Sequence, residues 1–96
     1  MSFSTQYTLA TDPTFIARVT IAMTKAAVAV ASEASTTANH GARATFAKNA
    51  LHDPLGYAPK YALAVVSNGA ISAESSDSDI EFTVNSMWDA FSGSNL

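Results

Sequence analysis

The sequence predicts an all-α protein: a small bundle of about four helices, the first of them long, behind an extended N-terminal arm. Three observations carry that expectation. Apolar residues recur at helical spacing over 15–30 and again over 80–91. The dipeptide Asp-Pro, a helix-start signal, occurs at Asp12-Pro13 and at Asp53-Pro54. Clusters of Ser, Thr and Gly separate the periodic segments. A chain of 96 residues holds one domain, read here as arm 1–11 and helical core 12–92.

Residues 1–10 place Phe3, Tyr7 and Leu9 on odd positions among Ser, Gln and Thr, a period-two pattern in which Thr5 is the imperfect member. The segment reads as an extended arm, lying over the helices or pairing with a neighbouring subunit. Asp12 then caps a helix whose first position is Pro13, where the missing N–H costs nothing. This helix is expected to run to about Ser35, with Phe15, Ile16, Val19, Met23, Ala26 and Val30 on one face. Ile21 and Val28 lie nearly opposite, beside Ala17, Thr24 and Ala31. That second stripe suits close packing of another helix. A helix of the same chain is the slightly preferred partner, because a long central helix is often wrapped on several sides; a neighbouring copy is the alternative.

The cluster SEASTTANH ends the first helix, its hydroxyls competing for backbone hydrogen bonds. A second helix is expected over Thr37–His52, with Ala42, Phe46, Ala50 and Leu51 inward and Gly41 weakening its first turn. After Asp53-Pro54, Pro59 poses a choice: a single turn followed by a helix from Pro59, or one kinked helix. The first is preferred, with Tyr61, Ala62, Val65 and Val66 facing the core and Asn68-Gly69 closing in left-handed geometry. In the polar connection AISAESSD, Ile71 either plugs the core or contacts something outside it. The last helix begins at Asp77 or Ser78, where Ser78 and Glu81 have capping-box spacing. Ile80, Val84, Met87, Trp88 and Phe91 form its stripe, and Gly93 ends it. Phe82 points away from that stripe, roughly 160–200° round the helix at 100° per residue. Either another segment covers it or it anchors a partner.

Composition narrows function mainly by exclusion. Net charge is −3, and the five cations Arg18, Lys25, Arg43, Lys48 and Lys60 are scattered, so no basic stripe is present to bind nucleic acid. There is no cysteine, hence no disulfide, zinc ribbon or thiol chemistry. His40 and His52 belong to no metal-spacing motif, and His52 suits a helix C-terminus. Glu74, Asp77, Asp79 and Glu81 lack the spacing and central glycine of a calcium loop, and favour the positive end of a helix dipole instead. The glycines are isolated, and no GxSxG elbow occurs. The expectation is no enzyme, no catalytic site, no metal and no cofactor. The N-terminus has no signal-peptide pattern, and Val19–Ala31, at thirteen residues, reads as too short and polar for a membrane span.

Only 14% of residues are charged, against roughly 25% in an average soluble domain. Such a surface favours self-association or docking. The pattern Ile80, Phe82-Thr83-Val84-Asn85-Ser86, Trp88 and Phe91, together with DPLGYAPKYALAV over Asp53–Val65, resembles short virion proteins of tailed bacteriophages. Within that group, small all-helical proteins resemble head-completion or head–tail adaptor (connector) subunits. The resemblance implies a homo-oligomeric ring between portal and tail, assembled in the host cytoplasm and carried in the virion. Capsid decoration and tail completion are alternatives within the particle, and a small helical regulator binding one host or phage protein is the alternative outside it. A mildly acidic chain suits a channel that passes DNA; adaptors commonly dock through longer loops or tails, and with three residues after Gly93 docking through a long C-terminal tail is not expected. The expected interface residues are Phe3, Tyr7, Leu9, Ile21, Val28, Ile71 and Phe82.

Overall fold

In the computed structural model, which describes residues 3–34, 41–68 and 71–93, every regular element is helical. The order is α1 (Phe3–Ala10), α2 (Pro13–Ala34), α3 (Gly41–His52), α4 (Pro54–Ser67) and α5 (Asp77–Gly93). The all-α expectation holds, with one helix more than about four. The side chains of Phe3, Ala42 and Phe91, and His40 and Gly69 entirely, lie outside the described residues.

The added helix is α1, where an extended arm was expected. Within and just after it, Thr8 donates to the Ser4 carbonyl (2.9 Å) and Thr11 to the Tyr7 carbonyl (2.8 Å). Such back-bonds satisfy the hydroxyls but do not favour the helix by themselves, so its helicity rests on tertiary packing. Ala10 is buried, Leu9 packs against the core and Gln6 Nε2 donates to the Val66 carbonyl (3.5 Å), which docks α1 on α4. This tertiary docking outweighs the period-two pattern.

The two Asp-Pro starts work alike. Asp12 accepts from the Phe15 N–H (3.3 Å) and Asp53 from the Gly56 N–H (3.2 Å), with Pro13 and Pro54 opening the helices. Contrary to the preferred reading, α4 runs unbroken through Pro59. Pro59 removes one N–H, the partner of the Leu55 carbonyl, in the helix's second turn. Leu55 is 80% exposed, so water is at hand to replace that bond. Asn68 closes α4 in right-handed geometry (φ −72°, ψ −3°), with both its backbone N–H and its side-chain amide on the Ala64 carbonyl. The capping box of α5 also sits two residues earlier than the Ser78 reading. The Ser76 hydroxyl accepts from the Asp79 N–H (3.1 Å) and the Asp79 carboxylate from the Ser76 N–H (3.2 Å).

Helix α2 is central and packs on each of the other four. Its inner face, Phe15, Val19, Ala22, Met23, Ala26, Ala27 and Val30, is buried, and Ile16 packs beside it. The buried alanines Ala47, Ala50, Ala58 and Ala62 lie on the opposing helices, small side chains that permit close approach of helices. Bulk comes from Phe15, Met23, Ile71, Ile80 and Trp88. Trp88 is fully buried, and its Nε1 donates to the Tyr61 hydroxyl (2.9 Å) with the rings edge to face (6.0 Å, 77°). Leu51, expected inward, is 40% exposed at the end of α3.

The connection before α5 is held by Arg18. Its guanidinium pairs with Asp77 (2.8 Å) and donates to the carbonyls of Ala73 and Ser75. That clamp sets Ile71 into the core at 1% exposure, resolving its two readings in favour of the plug and removing it from the interface residues.

Candidate functional site

What α2 buries on one side it leaves bare on the other. Ile21 and Val28 are 57% and 53% exposed, so no helix of this chain covers them among the described residues, and the preferred within-chain partner is absent. Ala17, Lys25 and Ala31 are exposed beside them and Thr24 is half-buried. The spacing makes this face a heptad seam: Ile21 and Val28 are seven apart, with Thr24 between them and Ala17 and Ala31 continuing the seam on either side. Thr24 donates its hydroxyl to the Thr20 carbonyl (2.7 Å), and Thr20 donates to that of Ile16 (2.8 Å). The two threonine hydroxyls on this face are therefore already bonded, and covering it strands neither; its charged group is Lys25.

Phe82 is the second bare element, at 73% exposure on the outer side of α5. Neither Ile71 nor α1 covers it. Asp79 precedes it by three residues and Asp89 follows by seven, both exposed. Tyr7 is 56% exposed on α1, while Leu9 is half-buried against the core, a packing residue more than a surface one. A further apolar corner, Leu55 (80%) with Leu51, escapes sequence reading. Leu55 falls on the inner row of α4, three residues before Ala58, but in the first turn, where the neighbouring helices do not reach it.

Charges are arranged with opposite signs on the two bare faces. Residues 13–32 of α2 contain Arg18 and Lys25 and no carboxylate; α5 contains Asp77, Asp79, Glu81 and Asp89 and no cation. Arg18 pairs with Asp77, and Arg43 with Asp89 (3.1 Å), while Lys25 stands exposed between Ile21 and Val28. The segment Pro13–Ser32 is long and apolar enough by length and composition to cross a membrane (mean hydropathy 1.5), more than the thirteen residues read from sequence. A central bundle helix meets the same criterion, and α2 has four helices packed on it.

An open groove of about 600 Å³ lies where α1 meets the 71–76 connection, lined by Ser4, Thr5, Thr8, Leu9, Thr11, Asp12 and Ala73. Asp12 is the one ionisable group in that lining, and its carboxylate is used as the α2 cap. No group of three or more His, Cys, Asp or Glu able to hold a metal occurs among the described residues. Burial pushes the Tyr61 hydroxyl above its ordinary 10.0, opposed by the Trp88 hydrogen bond and reinforced by Tyr57. That group belongs to the core packing, not to a cleft. In comparisons with family models, curated proteins and solved structures, nothing matches this chain.

Proposed function

We propose that this protein is a structural subunit that works by self-association, a head–tail connector of a tailed phage forming a ring between portal and tail. The observation that carries the self-association is the outer face of α2, where Ile21 and Val28 stay more than half exposed on the helix that organises the core. A central helix with two apolar faces and one partnered face is incomplete as a monomer. Phe82 and the low content of charged residues support the same reading. The phage assignment rests on the resemblance of 53–65 and 80–91 to short virion proteins.

The test is proteomics of gradient-purified particles combined with cross-linking. The proposal expects this chain in particles, cross-linked to itself and to portal and tail subunits. Links spread over capsid subunits would replace the connector by a decoration role. Absence from particles would overturn the structural reading and leave a regulator.

A further inference from the structure

Resting on the self-association reading, we propose that copies join head to tail: Phe82 of one copy enters the hole bounded by Ile21, Thr24, Lys25 and Val28 on α2 of the next. Four residues at i, i+3, i+4 and i+7 surround the hole that receives a knob in helix packing. On α2 that set is Ile21, Thr24, Lys25 and Val28, with the two large apolar residues at its ends. The hydroxyl of Thr24 is already bonded, so an apolar knob leaves no polar group unmatched there. Lys25 offers its methylene stem to the ring and its ammonium to the ring face, a cation–π contact. Phe82 is the one large apolar side chain that α5 exposes among the described residues.

Charge selects this pairing over the symmetric ones. Joining α5 to α2 sets Asp79, one turn before Phe82 and in no ion pair with a cation of α2 or α3 among the described residues, near Lys25, on a helix segment with no carboxylate of its own; Asp89 is already paired with Arg43. Joining two α2 faces would put Lys25 against Lys25, and joining two α5 faces would put carboxylates against carboxylates. Like charges across an interface disfavour a partner, and opposite ones favour it. A contact between two different patches is heterologous and propagates to a closed ring or an open filament. An isologous contact would stop at a dimer.

The test uses the full chain in two variants, both altered only at exposed positions. Phe82→Ala keeps the receiving hole and loses the knob; Ile21→Asp/Val28→Asp keeps the knob and loses the hole. Helicity is checked by circular dichroism, and mass by sedimentation velocity. Each variant alone is expected to be a folded monomer at concentrations where the unaltered chain forms larger species, association weakening about 30-fold or more as for an interface hot spot. Mixed, the two retain one intact junction and form a 1:1 dimer that grows no further. An unaltered chain that is monomeric at every concentration overturns the self-association reading, and this one with it. If the unaltered chain associates but either variant alone does so equally well, or the mixture stays monomeric, the head-to-tail pairing is overturned and self-association stands. Lys25→Glu, facing Asp79, is expected to weaken association about tenfold, and unchanged association would remove the charge argument.

Discussion

Tyr61→Phe removes a single oxygen atom and exposes how the core is held. Trp88 is fully buried and its indole N–H has the Tyr61 hydroxyl as acceptor at 2.9 Å. The substitution keeps the ring and its edge-to-face contact with Trp88 but leaves a buried donor without its partner. Such a donor costs about 1–3 kcal/mol, and relief from burying the Tyr hydroxyl offsets part of it, leaving about 1–2 kcal/mol. In a domain of this size each kcal/mol shifts the midpoint by about 4–8 °C, so Tm should fall by roughly 5–15 °C. Thermal unfolding followed by circular dichroism measures this directly. Tyr57→Phe is the control, since Tyr57 keeps its ring near Tyr61 (6.3 Å) and its hydroxyl is not Trp88's acceptor. The reasoning is refuted if both variants melt within a degree of the unaltered protein.

The same hydroxyl gives a pH dependence with a definite sign. Its pKa is raised on folding from 10.0, chiefly by burial, so the folded state holds that proton more tightly than the unfolded chain. The contribution is complete below pH 10 and is lost as pH rises through the folded value. The unaltered protein should lose stability in that alkaline window more steeply than Tyr61→Phe; parallel curves would contradict it. At the start of α5, Ser76→Ala should cost about 1 kcal/mol in chemical denaturation, while Ser78→Ala stays within about 0.5 kcal/mol. The reverse order would return the capping box to the Ser78 register. At Gly56, a Cβ would stand 2.2 Å from the capping Asp53 Oδ2, so Gly56→Ala should bring little or no gain despite its better helix propensity. In an Asp53→Ala background, where the obstruction is gone, the same change should stabilise by up to about 1 kcal/mol, a difference read from paired denaturation curves.

How far the sequence revealed this fold depended on which residues carried the signal. Asp-Pro starts and a clean apolar stripe marked α2, α4 and α5, because caps and period are local properties. The α1 helix was hidden since Phe3, Tyr7 and Leu9 alternate like a strand, and its helicity depends on tertiary packing, the burial of Ala10 and the docking of Gln6 on α4. The continuity of α4 past Pro59 was hidden because one lost hydrogen bond is outweighed by the burial of Ala58, Ala62, Val65 and Val66. Ile71 was undecidable until Arg18, more than fifty residues away, fixed its loop. For the candidate surface, periodicity correctly set Phe82 and the Ile21/Val28 pair apart from the main stripes. Whether something covered them is a question of tertiary packing that no local pattern answers.

The claim that matters most is that this chain is not a finished object alone. Light scattering of the purified unaltered protein over a wide concentration range tests it most directly. The account predicts a molar mass that climbs from the 10.0 kDa of one chain to that of a defined assembly, and that Ile21→Asp/Val28→Asp stays at 10.0 kDa with its helicity intact. A mass fixed at 10.0 kDa throughout the range would contradict it.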